Sequence, residues 1–368
     1  MLKKLLLFTC CLFALLVGLD IKKSYSPDKD NALSQMCIYY AETENLPELE
    51  HCLAQIRGEY NQKVARAAQK YLRQIKGLPQ TVQEGDYNKS LYRYLLIDYD
   101  LKNKNASPAV CASRADFLKN KGYAALIYAR LSAIYAENSD IKNRNIFAQK
   151  AVDACQNMVS MRQTAQVMRI LADTNNFEAF ENLLRKSSWS NERLLELYWQ
   201  TKNKPLMDYL RKSWVKNRAT WDKETRVMFW CLFWFYDFFP KSDSPEDIKR
   251  SEEKAIKAVW VFQVSQKGKN WYNASFPLYA FVAKTNGNAA LYEHYKTLSL
   301  SEKQFLDTKR DRVNYVMYAA TAFAMAGDGT ASVELIKSLD NRHRMRVLRN
   351  CIYNIMHSGG EEAVKELL

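Results

Sequence analysis

Residues 123–155 read YAALIYARLSAIYAENSDIKNRNIFAQKAVDAC. The segment is apolar and helix-favouring through Tyr135, and Asn138-Ser139-Asp140 then breaks it. Beyond the break, Ala148, Ala151 and Ala154 place small side chains at three-residue steps along a second helix. Working outward, the stretch from Tyr123 to Lys204 contains neither Gly nor Pro, yet Asp173-Thr-Asn-Asn and Ser187-Ser-Trp-Ser interrupt it. A single helix of that length is out of keeping with the usual span of roughly 8–20 residues, so the pattern predicts repeated helices joined by short polar turns.

The flanks carry the same punctuation. Residues 31–42 and 47–57 have helical spacing about the turn Thr43-Glu44-Asn45, with Pro47 where a first turn tolerates its missing N–H, and they predict an antiparallel hairpin. A longer helix follows over about 60–75 and stops at Gly77-Leu-Pro79; another covers 88–101. A further helix starts at Pro108 behind a Ser107 cap and is expected to run to near Gly122. Towards the C-terminus, Ala324-Met-Ala-Gly-Asp-Gly-Thr-Ala-Ser-Val resembles Ile355-Met-His-Ser-Gly-Gly-Glu-Glu-Ala-Val at an offset of 31 residues. Val282-Ala-Lys-Thr-Asn-Gly-Asn-Ala-Ala-Leu follows the same logic of a helix end, a glycine turn and a new helix. With 11 Gly and 8 Pro in 368 residues, collagen-like and linker-like chains are excluded and a Gly-rich nucleotide fold is disfavoured.

Tyr128-Ala-Arg-Leu-Ser-Ala-Ile-Tyr135, followed by Ala148-Gln-Lys-Ala-Val-Asp-Ala-Cys155, resembles a degenerate tetratricopeptide or Sel1-like unit, as do parts of 123–186 and 276–368. The turn from Ala136 to Phe147 reads longer than that family's. The resemblance implies a right-handed helical solenoid with a partner-binding concave surface and specifies no partner. The expected fold is therefore all-α: antiparallel helical hairpins stacked as an irregular α-solenoid, preceded by an N-terminal apolar signal or anchor helix. Its segments are 1–19 (signal peptide or anchor), 20–30 (polar linker), 31–79, 87–220 (degenerate repeats), 221–275 (aromatic-rich central helices) and 276–368 (C-terminal repeats).

The leader reading rests on Lys3 and Lys4 ahead of the uncharged run Leu5–Leu19, which is short for a membrane crossing and lacks a clean cleavage signal. Export follows as the preferred location, periplasmic or secreted, with tethering by an uncleaved leader kept open. Three N-x-S sequons, at Asn88, Asn105 and Asn273, bear on the host alone. Residues 227–239 are aromatic around nearly the whole helix and suit a sandwiched core helix better than membrane insertion or self-association.

Outside the leader six cysteines remain, and export makes disulfides plausible. Cys37 and Cys52 stand equally far from the first hairpin's turn, which predicts a Cys37–Cys52 disulfide, with Cys111–Cys155 a lesser pairing. Phosphate-loop, dinucleotide, zinc-protease and nucleophile-elbow motifs are all missing, and no Cys/His group has ligand spacing, so no cofactor or metal is expected. His51 and Cys52 adjoin, but neighbours on a helix diverge by about 100°. Glu192/Glu196 and Asp307/Asp311 are i,i+4 carboxylate pairs of the kind helices carry routinely.

Formal net charge is +14, which attracts anionic partners without choosing among them. Residues 185–220 hold nine basic side chains against three acidic ones, interleaved with aromatics. From this stretch Arg193, Trp199, Tyr209, Arg211, Lys212 and Trp214 are candidate binding residues, with Arg342, Arg346 and Arg349 a second cationic face; an aromatic core beneath a basic solvent face would give the same pattern. The functional expectation is a noncatalytic helical-repeat adaptor or scaffold binding an acidic protein or acidic glycan outside the cytoplasm. An anionic membrane surface is a further candidate partner and nucleic acid is disfavoured. The alternative is an all-helical polysaccharide-binding or polysaccharide-processing protein using the aromatic and basic segment.

Overall fold

A computed structural model describes residues 26–155, 161–186, 203–217, 219–220, 275–285, 287–301 and 309–368, with isolated positions between 244 and 250. Sixteen α-helices, and no strand, make up the described residues. The N-terminal series is α1 (Pro27–Glu42), α2 (Leu46–Gln55), α3 (Glu59–Ile75), α4 (Lys89–Lys102), α5 (Pro108–Asp116), α6 (Lys121–Glu137), α7 (Ile141–Cys155), α8 (Met161–Asp173), α9 (Phe177–Lys186) and α10 (Lys204–Asn217). The C-terminal series is α11 (Ser275–Thr285), α12 (Ala289–Ser301), α13 (Lys309–Met325), α14 (Gly329–Lys337), α15 (Asn341–His357) and α16 (Glu361–Leu367).

Seven of the turns among the described residues share one geometry. In the α1–α2, α4–α5, α6–α7, α8–α9, α11–α12, α13–α14 and α15–α16 turns, one residue takes a left-handed conformation: Glu44, Lys104, Ser139, Asn175, Gly287, Gly327 or Gly359, with φ between 56° and 85°. The N–H of the residue after it reaches back to a carbonyl five positions earlier, as in Asn45 to Tyr40, Asp140 to Tyr135 and Asp328 to Phe323, at 2.8–3.0 Å in all seven. This closure satisfies carbonyls that a helix end leaves bare. In four turns the same residue also starts the next helix: Asn45, Asp140, Asn288 and Asp328 accept from backbone N–H groups three positions on at 2.9–3.4 Å. The turn after α6 is thus three residues long, because Asp140 caps a helix whose first turn, Ile141-Lys-Asn-Arg, is polar enough to read as loop. Since a non-glycine residue in this conformation costs about 1 kcal/mol, Ser139→Gly is expected to raise stability by about 0.5–1 kcal/mol, measured as a higher thermal midpoint.

First helices of successive hairpins pack on one another, α4 on α6, α6 on α8, α11 on α13 and α13 on α15, while α1 packs on the single helix α3, which in turn packs on α4. Close approach comes from small side chains. Ala124, Ala125, Ala129, Ala148 and Ala151 are buried between and around α6 and α7. At the C-terminal end Gly329 and Gly360, equivalent positions in the 31-residue echo, meet backbone to backbone, and Gly329 N–H donates to Ser358 O at 3.1 Å.

The C-terminal series also stacks on the N-terminal one. α15 lies against α1, with Arg349 paired to Asp28 at 2.7 Å, Gln35 Nε2 donating to Arg349 O at 2.9 Å, and His357 Nε2 3.3 Å from Glu42. From α16, Glu361 accepts the Tyr40 hydroxyl at 2.9 Å and Lys365 reaches Glu48 at 3.3 Å. The packing order therefore runs from α11 through α13 and α15 directly to α1, α3, α4, α6 and α8.

Several expectations change. α1 starts at Pro27 rather than 31, because Ser26 caps Lys29 N at 3.3 Å with Pro27 in the first turn, so part of the expected linker is helix. α5 ends at Asp116, and Gly122 falls in the first turn of α6, where Asn120 caps it. The Cys37–Cys52 disulfide is not formed: both residues are buried free thiols, and Cys37 Sγ donates instead to Leu49 O at 3.6 Å. Equal distance from the turn sets height along the hairpin but not the rotation that would aim the sulfurs at one another. Cys111 is likewise a free thiol, which removes the Cys111–Cys155 pairing. Among the described residues no helix is long and apolar enough to cross a membrane. The leader 1–19 and the aromatic run 227–239 lie outside the described residues.

Candidate functional site

The first helices of the hairpins enclose a groove of about 820 Å³, at the large end of the range for ligand cavities. Its wall draws on both chain ends: Asn31, Gln35, Ile38 and Glu42 from α1, Asn61 and Val64 from α3, Leu91 and Tyr94 from α4, Tyr123, Leu126 and Arg130 from α6, and Gln163 and Gln166 from α8. Met317, Tyr318 and Thr321 of α13 and Arg349, Asn350 and Tyr353 of α15 complete it. Carboxamides and tyrosines dominate, separated by aliphatic side chains.

Both cations of the groove are ion-paired within the protein. Arg130 is ion-paired with the buried Asp98, which also meets Lys102 at 3.0 Å. Arg349 is held by Asp28 and Glu42 by His357, as described above. Tyr94 stacks on Tyr123 with ring centroids 4.7 Å apart and planes 17° from parallel. Burial pushes the Tyr94 phenol up to about 12, so it stays protonated and able to donate at neutral pH. Burial likewise raises the Tyr318 phenol.

The candidate residues from the sequence do not assemble here, with one exception. Arg193 and Trp199 lie outside the described residues, as do Glu192 and Glu196. On α10, Tyr209 and Trp214 pack half-buried against the hydrophobic core, Tyr209 leaning on Phe177 at 5.8 Å, while Lys212 is exposed and Arg211 half-buried. The α10 aromatics do not line the groove described above. Arg342 and Arg346 are exposed on α15. Arg349 alone of the predicted set lines the groove, where it is also a structural link to α1.

The described residues offer little to covalent or acid–base chemistry. Burial drives the Cys37 thiol well above its ordinary value and the Cys52 thiol up to about 12, which disfavours the thiolate a nucleophile needs. His51 is exposed while Cys52 is buried, so the two do not face each other. No cluster of metal-binding side chains occurs among the described residues. Among the described residues, Glu42 is the one carboxylate lining the groove.

Comparison with protein-family models, with curated proteins and with solved structures finds no match to this chain. The site thus stands on its own geometry. Sequence reasoning missed Tyr94 and Tyr318 because they look like core, and Asn61 and Gln166 because they read as ordinary polar helix positions. The available signal was a set of carboxamides at helical spacing, Asn31/Gln35 and Gln163/Gln166, on faces that an apolar stripe leaves unexplained.

Proposed function

We propose that the protein is a noncatalytic helical-repeat adaptor, an irregular α-solenoid of stacked hairpins that holds a macromolecular partner in its concave groove. The observation that carries this reading is a groove built from seven described helices drawn from both ends of the chain, rich in hydrogen-bonding groups and poor in reactive ones. Recurrence of one turn geometry in seven hairpins supports the solenoid description.

The formal charge of +14 supports an acidic protein or acidic glycan as the partner class, acting outside the cytoplasm if the apolar leader directs export. The groove's cations are already paired, so the excess serves long-range attraction while contact energy comes from hydrogen bonds and apolar packing. Photo-crosslinkers placed at Asn31, Gln166 or Asn350 are expected to trap a macromolecule in the native compartment, whereas crosslinkers at Lys212 trap it less. Raising ionic strength from about 0.01 M to about 1 M, which shortens the screening length from roughly 30 Å to 3 Å, is expected to slow association with little change in dissociation. Macromolecule-free crosslinking at all three groove positions, together with turnover of a small molecule, would reject the adaptor reading.

A further inference from the structure

Two tyrosines in the groove carry hydroxyls that no described protein group engages. Tyr94 and Tyr318 line it at 7% and 5% exposure, and neither hydroxyl has a hydrogen-bond partner among the described residues. Asn61, at 9% exposure, is half engaged: its Oδ1 accepts the Ser34 hydroxyl at 3.3 Å, and its amide nitrogen has no partner among the described residues. The two tyrosines belong to opposite ends of the chain, α4 and α13, brought to one cavity by the stacking of α15 on α1.

We propose that the Tyr94 and Tyr318 hydroxyls, with the Asn61 carboxamide, form a subsite that holds the main chain of an extended, uncharged polypeptide segment. This deepens the adaptor reading and rests on it. The unused groups at the floor are neutral, and each phenol can donate one hydrogen bond and accept others. An extended peptide presents carbonyls and N–H groups in alternation at about 3.3 Å per residue, matching such a set along its length. Both lining cations, Arg130 and Arg349, are already paired within the protein, so no free cation is left to reward a carboxylate, sulfate or phosphate, and desolvating one here would go uncompensated. Ile38, Val64 and Leu126 give the ligand's small apolar side chains somewhere to pack. The acidity expected of the partner then belongs to regions flanking the bound segment.

The test uses the full chain and three probe sets: N-acetylated, C-amidated decapeptides made from Gly, Ala, Val, Leu, Ser, Thr, Asn and Gln; matched decapeptides rich in Asp and Glu; and neutral gluco-oligosaccharides. Binding constants are measured for the wild type, Tyr94→Phe, Tyr318→Phe and Tyr315→Phe. Tyr315 donates to Ser299 O at 2.8 Å and serves as the structural comparator. The expected pattern is crossed. The Tyr94 and Tyr318 variants keep or slightly raise the unfolding midpoint of the free protein yet weaken the uncharged peptides about five- to tenfold each, while the Tyr315 variant lowers the midpoint and leaves affinity intact. Tight binding of the acidic set that neither groove variant alters would overturn the subsite while leaving the adaptor reading standing. Oligosaccharides retained by the wild type and lost by the groove variants would overturn the polypeptide assignment. Failure of all three sets to bind would reject the subsite, leaving the adaptor reading to the crosslinking experiment.

Discussion

Gly329→Ala is expected to destabilise the protein by about 1–3 kcal/mol, and a β-branched residue there by more. The sign is what makes the experiment informative. In an exposed helix Ala is favoured over Gly by up to about 1 kcal/mol, so propensity alone predicts a gain. Here the added Cβ would lie 2.5 Å from Gly360 N and 2.7 Å from Ile355 O, both backbone atoms that cannot swing aside. Relief requires α14 to move away from the α15–α16 turn, which also lengthens the bond from Gly329 N–H to Ser358 O. Gly360→Ala should behave similarly, since its Cβ would meet Ile355 Cγ2 at 2.4 Å and the Gly329 backbone. Urea unfolding of both single variants checks this, and a stabilised Gly329→Ala would show that the two hairpins are not packed as described.

Tyr40→Ala should cost about 3–5 kcal/mol, the range for truncating a buried aromatic side chain. Tyr40 is fully buried in α1, and its hydroxyl donates to Glu361 on α16, so the substitution opens a cavity and cuts one of the links between the chain's two ends. Tyr40→Phe separates these effects: it keeps the ring and should cost about 1–2 kcal/mol, because Glu361 retains Lys365 at 2.9 Å. Hydrogen exchange is the decisive readout. Amides of α15 and α16 are expected to lose protection in Tyr40→Ala while those of α6 and α7 keep theirs, since the defect lies at the junction. Uniform loss across the chain would mean instead that the molecule unfolds as one unit.

The hairpins were legible in sequence wherever a local signal fell on a single residue. Pro47 after Asn45 marked the first turn, Ser107-Pro108 marked a helix start, and the glycines at 327, 329, 359 and 360 marked the last two units. Where the left-handed position carried Ser139 or Asn175, the polar breaks were read in place, and only the length of the turn after Ala136 was misjudged. Ser139 and Asn175 take the left-handed position that Gly327 takes, a conformation asparagine tolerates and serine does not announce. Asp116 ends a helix on a three-residue step rather than at the later glycine. In the basic and aromatic segment, Tyr209 and Trp214 are partly buried against the core, and charge alternating with aromaticity on an amphipathic helix does not by itself tell such packing from a binding face. The groove was harder still. It depends on Tyr94 and Tyr318 meeting across the junction of α15 with α1, a contact between distant parts of the chain that no local pattern encodes.

That junction also imposes a timetable. The α1 surface that receives α15 is among the first parts of the described chain to be synthesised, and its cover arrives roughly 300 residues later, an interval of about 15–60 s at 5–20 residues per second. Each other hairpin finds its neighbour within some 30 residues and can dock as it emerges. Closing the far longer loop carries about 2 kcal/mol more chain entropy than such a local step. The nascent chain therefore spends most of its synthesis with that face of α1 uncovered, and the groove, six of whose 22 lining residues come from α13 and α15, is completed last.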